Sequence, residues 1–202
     1  MKSNFINLIV VIPVFNEEKI ISKVIEQILS GTKDIEKKII LINDGSKDKS
    51  LEEINKYKEN EDIIIIDKAN EGHGPTLIRG YKEALKFNPK YIFQMDSDNQ
   101  IEFSEFIKIY QLKDDYDLII GKRFQRNDPY IRILISKILR LLIAVFHQVW
   151  IIDSNSPFRL MSNKFLRENI NKSQNSIVPN IILSILAAKI RKIKFLKVNH
   201  NR

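Results

Sequence analysis

The chain has 202 residues, 44% hydrophobic and 29% charged, with no cysteine and a formal net charge of +8. That length suits one compact domain and is too short for two full α/β domains, and the lack of cysteine excludes a disulfide framework, a thiolate-held metal centre and a cysteine nucleophile. The charge is uneven: residues 1–119 carry 17 Lys and Arg against 22 Asp and Glu, and residues 120–202 carry 16 against 3, which predicts an anionic partner for the second half.

The first residues, Met1 to Asn7, run directly into an apolar strand with no small-residue cleavage site. This predicts no secretory leader and, with the cysteine count, a cytoplasmic setting. Strand-like runs follow at Leu8–Ile12, Lys38–Ile42, Ile63–Ile66, Tyr91–Met95 and Leu118–Ile120. They are short and β-branched, as in strands covered on both faces of a parallel sheet. Helical patterns separate them: Glu17–Leu29 sets Ile20, Ile21, Val24, Ile25 and Ile28 on one face, with Gly31 as a stop. Lys47–Tyr57, Pro75–Phe87 and Phe103–Gln111 repeat the pattern. The alternation predicts an α/β fold: a doubly wound, mostly parallel sheet flanked by helices, with its ligand at the carboxyl ends of the strands.

After Gly121 the rhythm changes. Ile131–Trp150 is a long apolar helix pattern carrying Arg132, Lys137 and Arg140; Phe165–Asn169 and Ile181–Lys189 read as helices and Ile193–Val198 as a late strand. No linker rich in Gly, Ser or Pro separates the halves, so residues 1–202 are read as one domain. The longest stretch without charge, Leu141–Ile152, has twelve residues, against about 20 for a membrane-spanning helix.

Four of the predicted strands end in unusual polar or small residues. The first ends Pro13-Val-Phe-Asn-Glu17 and the second Asn43-Asp-Gly-Ser46; the third is followed by Lys68-Ala-Asn-Glu-Gly-His-Gly74, and the fourth ends Asp96-Ser-Asp-Asn-Gln100. In a doubly wound sheet these ends lie side by side, and that edge is the predicted site. Asp96 and Asp98 can both reach a divalent cation that keeps open positions for water and substrate phosphates, and Gln100 adds a neutral oxygen. Alone, an Asp-x-Asp is a weak signal, since it is often a plain turn or helix cap; the apolar strand Tyr91–Met95 before it strengthens the metal reading. Asn43 and Asp44 read either as part of a capped tight turn or as hydrogen-bonding partners of a nucleobase or ribose. Gly72-His73-Gly74 permits close approach of backbone N–H groups to an anion at a helix start, with His73 itself a cap or surface residue. No Gly-x-Gly-x-x-Gly follows the first strand and no Gly-x-x-x-x-Gly-Lys-Ser/Thr occurs, which disfavours dinucleotide and P-loop sites.

In order along the chain, Val11-Ile-Pro-Val-Phe-Asn-Glu17, Leu41-Ile-Asn-Asp-Gly-Ser46, Lys68-Ala-Asn-Glu-Gly-His-Gly74, Gln94-Met-Asp-Ser-Asp-Asn-Gln100, Ile120-Gly-Lys-Arg123 and Asp153-Ser-Asn-Ser-Pro-Phe-Arg-Leu160 resemble the family 2 glycosyltransferases. The similarity is to the branch of dolichol-phosphate mannose synthases and bacterial polyprenyl-phosphate sugar transferases. It covers nearly the whole chain. The resemblance implies the GT-A fold, with residues 1–121 as the nucleotide-sugar half and 122–202 as the acceptor half. It implies inverting sugar transfer, aided by Mg²⁺ or Mn²⁺, from a UDP- or GDP-linked donor to a polyprenyl phosphate or, alternatively, to a saccharide hydroxyl. It implies donor contacts from Pro13, Phe15, Asn16, Glu17, Asn43, Asp44, Ser46, Lys68, Asn70, Gly72, Asp96 and Ser97, and metal contacts from Asp96, Asp98 and Gln100. The implied catalytic residues are Asp98, Arg123, Asp153 and Arg159, with Arg123 and Arg159 as clamps on an anionic acceptor.

Three departures from the family stand out. Asn43 takes a position that is often acidic, Pro157 takes one that is usually Gly, and the sequence does not reach the Gly-x-Ser-Lys stretch that commonly follows His200-x-Arg202. A phosphate acceptor brings its own charge, whereas a hydroxyl needs a base, for which Asp153 is the candidate. Ile131–Trp150 serves either as cover for the sheet or as an interfacial helix on the inner face of an anionic membrane, with its basic residues at lipid phosphates and Trp150 at the boundary. Nucleic acid is not expected, since no reader motif accompanies the basic half. A membrane-associated nucleotide-binding module without turnover is the non-enzymatic alternative.

Overall fold

The computed structural model describes residues 6–124 and 130–199. Strand β1 (Leu8–Val14) is buried at every position, as a seven-residue apolar run must be if both its faces are covered. With β2 (Lys37–Asp44), β3 (Ile63–Lys68), β4 (Tyr91–Gln94), β5 (Leu118–Phe124), β6 (Arg159–Ser162) and β7 (Ile193–Asn199) it forms one seven-stranded sheet of order β3-β2-β1-β4-β6-β5-β7. β1 pairs in parallel with β2 on one side and β4 on the other. Strand order reverses there, which opens a crevice beyond the carboxyl ends of β1 and β4.

Alternate residues of β1 feed two cores. Leu8, Val10, Ile12 and Val14 pack with α1 (Ile21–Gly31) and with Phe93, Phe103 and Phe106, whereas Ile9 and Val11 pack with α3 (His73–Lys86), α6 (Asn163–Ser173) and α7 (Pro179–Lys189). The short helices α2 (Ser50–Asn55) and α4 (Phe106–Tyr110) lie on the α1 side through Ile54, Phe106 and Ile109. α3 sits unusually close to the sheet: a Cβ on Gly80 would lie 2.5 Å from Val11 Cγ1 and 2.9 Å from Ile42 Cδ1. Only glycine fits that approach without displacing its neighbours.

Two features depart from the expected pattern. First, β6 runs antiparallel between β4 and β5, with Gln94 opposite Arg159 and Leu118 opposite Met161. Its four residues are centred between a cation and a serine and give no periodic signal of their own. Second, α1 begins at Ile21 rather than Glu17. The N–H groups of Asn16, Glu17 and Glu18 donate instead to the side chains of Ser46, Ser50 and Asp48, which holds residues 16–18 as a turn against the 46–50 loop.

The long helix α5 (Tyr130–His147) is only partly core. Ile143 is buried with Ile151 and Ile185, while Ile135, Ile138, Leu141, Leu142, Val145, Phe146 and, just beyond the helix, Trp150 are exposed. Phe146 is 75% exposed, so the sheet-cover reading holds for one stripe of this helix only. No helix among the described residues is long and apolar enough to cross a membrane.

Candidate active site

The strand ends Pro13–Phe15, Asp44 and Asp96–Asp98 meet α3 around a cleft of about 440 Å³. Of the residues singled out from the sequence, Pro13, Phe15, Glu17, Asp44, Asn70, Gly72, Asp96, Ser97 and Asp98 line it. Val14 and Thr76, which were not singled out, line it too, as does His73, which was expected only as a cap or surface residue. His73 and Thr76 lie on the first turn of the helix that follows the Gly72 motif, and helical spacing from that glycine is the signal that would have found them.

Asp44 ends β2 almost fully buried. Its carboxylate accepts from Lys68 Nζ at 2.5 Å and from the backbone N–H groups of Glu71 and Gly72 at 2.9 and 3.0 Å. Burial alone would raise its pKa, but the Lys68 ammonium and these N–H groups outweigh that and hold it below the usual aspartate range. The anion at the amino end of α3 is thus the protein's own Asp44. Gly74 meets a packing constraint as well: a Cβ there would lie 2.2 Å from the carbonyl oxygen of Ile177, so glycine lets the strap before α7 pass over the helix start.

Four expected donor contacts stand behind the cleft rather than in its lining. Asn43 is buried, donates to Asp67 at 2.7 Å and accepts from the Ser46 N–H at 3.3 Å. Ser46 accepts from the Asn16 N–H at 3.0 Å, and Asn16 accepts in turn from the Lys47 N–H at 2.8 Å. Lys68 is engaged by Asp44 and Glu71. In this arrangement Asn16, Asn43, Ser46 and Lys68 hold the loops that present Phe15, Glu17, Asp44 and Asn70. Asn70 itself donates to the Asp44 carbonyl at 2.9 Å.

On the other wall, Asp98 accepts from the Gln100 N–H at 3.1 Å, and His73 Nε2 lies 3.9 Å from Asp96 Oδ1. Gln100 lines a small adjoining pocket with Asp96, Asp98, Pro157 and Phe158. The Glu17 pKa is raised, first by burial and then by the charges of Asp98, Asp48 and Asp96. Concentrated negative charge of this kind suits a cation. Among the described residues no three or more His, Asp or Glu gather as a ready-made metal site. A cation on Asp96 and Asp98 would therefore complete its shell with diphosphate oxygens and water, the usual habit of Mg²⁺. On that count the residues fit a divalent ion that arrives with its substrate.

Of the expected acceptor-side residues, Arg123 falls in β5 opposite Val198; its side chain and that of Arg132 are not among those described, and His200 and Arg202 lie outside the described residues. Asp153 is half-buried in the loop before β6. Arg159, expected as a clamp on an anionic acceptor, is fully buried, and its guanidinium donates to the main-chain carbonyls of Ser154, Ser156 and Asn180. A cation committed to three backbone oxygens beneath the surface is placed to hold structure rather than an acceptor.

A doubly wound sheet with one antiparallel insertion and a strand-end Asp-x-Asp at its switch point is the GT-A fold of glycosyltransferases. Glucosyl-3-phosphoglycerate synthase from Mycobacterium tuberculosis, solved with Mn²⁺, UDP-glucose and phosphoglyceric acid, shares it with a TM-score of 0.71 at 15% identity, over 97% of this chain and 72% of that one. The chain belongs to glycosyl transferase family 2, whose sequence pattern matches residues 9–174. An uncharacterized protein of Methanocaldococcus jannaschii is 30% identical over 163 residues, covering 77% of this chain and 64% of that protein. The undecaprenyl-phosphate 4-deoxy-4-formamido-L-arabinose transferase of Proteus mirabilis is 30% identical over 141 residues, covering 67% of this chain and 42% of that enzyme. The chain thus spans less than two thirds of the length of these two relatives.

Proposed function

We propose that this chain is a metal-dependent inverting glycosyltransferase that moves a sugar from a UDP- or GDP-linked donor to a polyprenyl phosphate. The observation that carries the reading is that the pair Asp96 and Asp98 lines the same switch-point cleft as Asp44, Asn70 and Phe15. In this reading Pro13, Phe15, Asp44 and Asn70 receive the nucleoside, and Asp96 and Asp98 hold Mg²⁺ or Mn²⁺ together with the diphosphate. The bound cation supplies neutralisation of the charge that develops on the departing diphosphate. To Arg123 of β5 this reading gives the role that the resemblance implies, a basic partner for phosphate. An anionic lipid phosphate attacks the anomeric carbon without a strong base, so Asp153 has no proton to take.

The lipid acceptor draws support from the undecaprenyl-phosphate named for the P. mirabilis relative and from the exposed apolar stripe of α5 in the basic half of the chain. We place that stripe against the inner face of an anionic membrane. Basic residues near such a surface contribute about 1 kcal/mol each, and apolar side chains seat at the acyl boundary. A second reading keeps the donor site and replaces the acceptor by a saccharide hydroxyl. It draws on the fold shared with a synthase solved with phosphoglyceric acid, a small hydroxyl-bearing molecule, and it makes Asp153 the general base.

The test is sugar transfer from UDP- and GDP-linked donors to polyprenyl phosphate and to saccharides, with and without Mn²⁺, using wild type, Asp98→Ala and Asp153→Asn. The reading requires transfer to the lipid phosphate, loss of Mn²⁺-dependent nucleotide binding in a folded Asp98→Ala, and substantial turnover in Asp153→Asn. Unchanged Mn²⁺-dependent affinity in Asp98→Ala would refute the metal assignment. Transfer only to a saccharide, with a loss of about 10²–10⁴ in Asp153→Asn, would establish the second reading.

A further inference from the structure

Beneath Asp96 lies a polar cluster that the chemistry above leaves unused. Gln94 of β4, Tyr81 of α3, Asn180 of α7 and Arg159 of β6 are all buried to within 1% of completely, and none lines the cleft. Polar groups at such depth are costly unless each is paired, and here they pair with one another. The Tyr81 hydroxyl donates to Asn180 Oδ1 at 2.9 Å and lies 3.1 Å from Gln94 Oε1, which accepts from Asn180 Nδ2 at 3.0 Å. The Asn180 carbonyl accepts from Arg159 Nη1 at 3.0 Å.

The two ends of this chain of bonds arrive at the two sides of the site. At one end Gln94 Nε2 is directed at Asp96 Oδ1, at a long 3.5 Å. At the other, Arg159 Nε and Nη2 donate to the carbonyls of Ser156 and Ser154 at 3.0 and 3.2 Å, fixing the main chain that follows Asp153. The Ser156 hydroxyl then ties the same loop to the Gly121 carbonyl in β5 at 2.6 Å. Replacing a buried polar cluster as a whole by well-packed apolar side chains is often neutral or stabilising, so stability alone does not account for these residues.

We infer that Gln94, Tyr81, Asn180 and Arg159 form a positioning network for transfer, in which Gln94 orients the Asp96 carboxylate and Arg159 fixes the 154–156 loop. Donor and acceptor sides are thereby set by one buried unit. The inference rests on the nucleotide-sugar reading of the cleft. Gln94 is a positioning residue in this scheme, acting only through Asp96. Partners that orient metal ligands in this way typically cost 10- to 100-fold in metal affinity when removed.

The experiment compares wild type, Gln94→Met, Tyr81→Phe and the triple variant Gln94→Met, Asn180→Leu, Tyr81→Phe. Two quantities are read: the thermal midpoint, and the Mn²⁺ concentration that half-saturates binding of UDP or GDP, whichever wild type binds. Gln94→Met strands the polar atoms of Tyr81 and Asn180, so its midpoint falls; the triple variant removes those atoms together, so its midpoint recovers. The network predicts that the Mn²⁺ requirement rises about 10-fold or more in Gln94→Met and stays raised in the triple variant. It predicts a near wild-type requirement in Tyr81→Phe, where Gln94 keeps Asn180. A requirement that returns to wild type as the midpoint recovers, or that never moves, overturns the inference and leaves a structural cluster. If Gln94→Met does not fold, the triple variant decides alone. Absence of Mn²⁺-dependent nucleotide binding in wild type itself would bring down the underlying reading, a failure visible before any variant is made.

Discussion

Arg159→Lys is conservative in charge and costly in place. The guanidinium serves three buried carbonyls: Ser156 from Nε at 3.0 Å and Nη2 at 2.5 Å, Ser154 from Nη2 at 3.2 Å, and Asn180 from Nη1 at 3.0 Å. The Ser184 hydroxyl lies 2.9 Å from the Ser154 oxygen and 2.8 Å from the Asn180 oxygen, and its single proton covers only one of them. A lysine nitrogen is a single point on a flexible stem and cannot reproduce a planar fork, so one or two carbonyls lose their partner. Each abandoned buried acceptor costs about 1–3 kcal/mol, which gives a total of about 1–6 kcal/mol. Against a native stability of about 5–15 kcal/mol that is a large share. In a chain of this size it lowers the thermal midpoint by roughly 2–24 °C. Calorimetry and urea titration at one pH check the figure. A lysine variant melting within about 2 °C of wild type, yet weak in transfer, would restore the clamp role and refute the buried-fork argument.

Gly80→Val should destabilise by about 3 kcal/mol by overpacking, since the first added carbon already falls 2.5 Å from Val11 Cγ1; a midpoint equal to wild type would mean that α3 lies further from the sheet. The Asp44 carboxyl has a lowered folded pKa, so its bonds to Lys68 and the α3 start stabilise fully above about pH 3.9, the unfolded value, and fade as pH falls through the lower folded value. The urea-midpoint gap between wild type and Asp44→Asn should accordingly narrow from pH 6 to pH 3, and a constant gap would discount the charge. Replacing Val145 and Phe146, 63% and 75% exposed, by serine should leave the fold intact and weaken co-sedimentation with anionic vesicles. Binding by wild type that does not fall with salt would contradict the electrostatic part of that contact.

Much of the nucleotide half is legible because its signals are local. Continuous β-branched runs such as Leu8–Ile12 are the pattern of strands covered on both faces, and each expected strand of the first half is present; four run two to four residues further than expected, Asn43 and Asp44 continuing β2, and β4 ends one residue sooner, at Gln94. The side-by-side placement of the strand ends follows from the order β3-β2-β1-β4. What stays hidden depends on distant partners. Arg159 reads as a surface cation until α7 and the 154–156 loop converge on it with carbonyls, and β6 becomes a strand only because β4 and β5 each leave an edge for it. Glu17 has good helical spacing, but side chains some 30 positions away capture its N–H and those of its neighbours and delay the helix. Periodicity carries no information about such captures.

The insertion of β6 also bears on how the chain is made. Strands β1 to β4 can assemble as soon as residue 94 has emerged from the ribosome, but β5 cannot join β4 directly, because the place between them belongs to residues 159–162. Until that segment is translated, the buried strand β4 presents an open edge of unpaired amides flanked by Ile92 and Phe93, the kind of template that recruits other chains. At about 5–20 residues per second the exposure lasts several seconds. Synthesis that slows between β5 and β6 would lengthen it, and aggregation during expression should track that interval more closely than it tracks the stability of the finished fold.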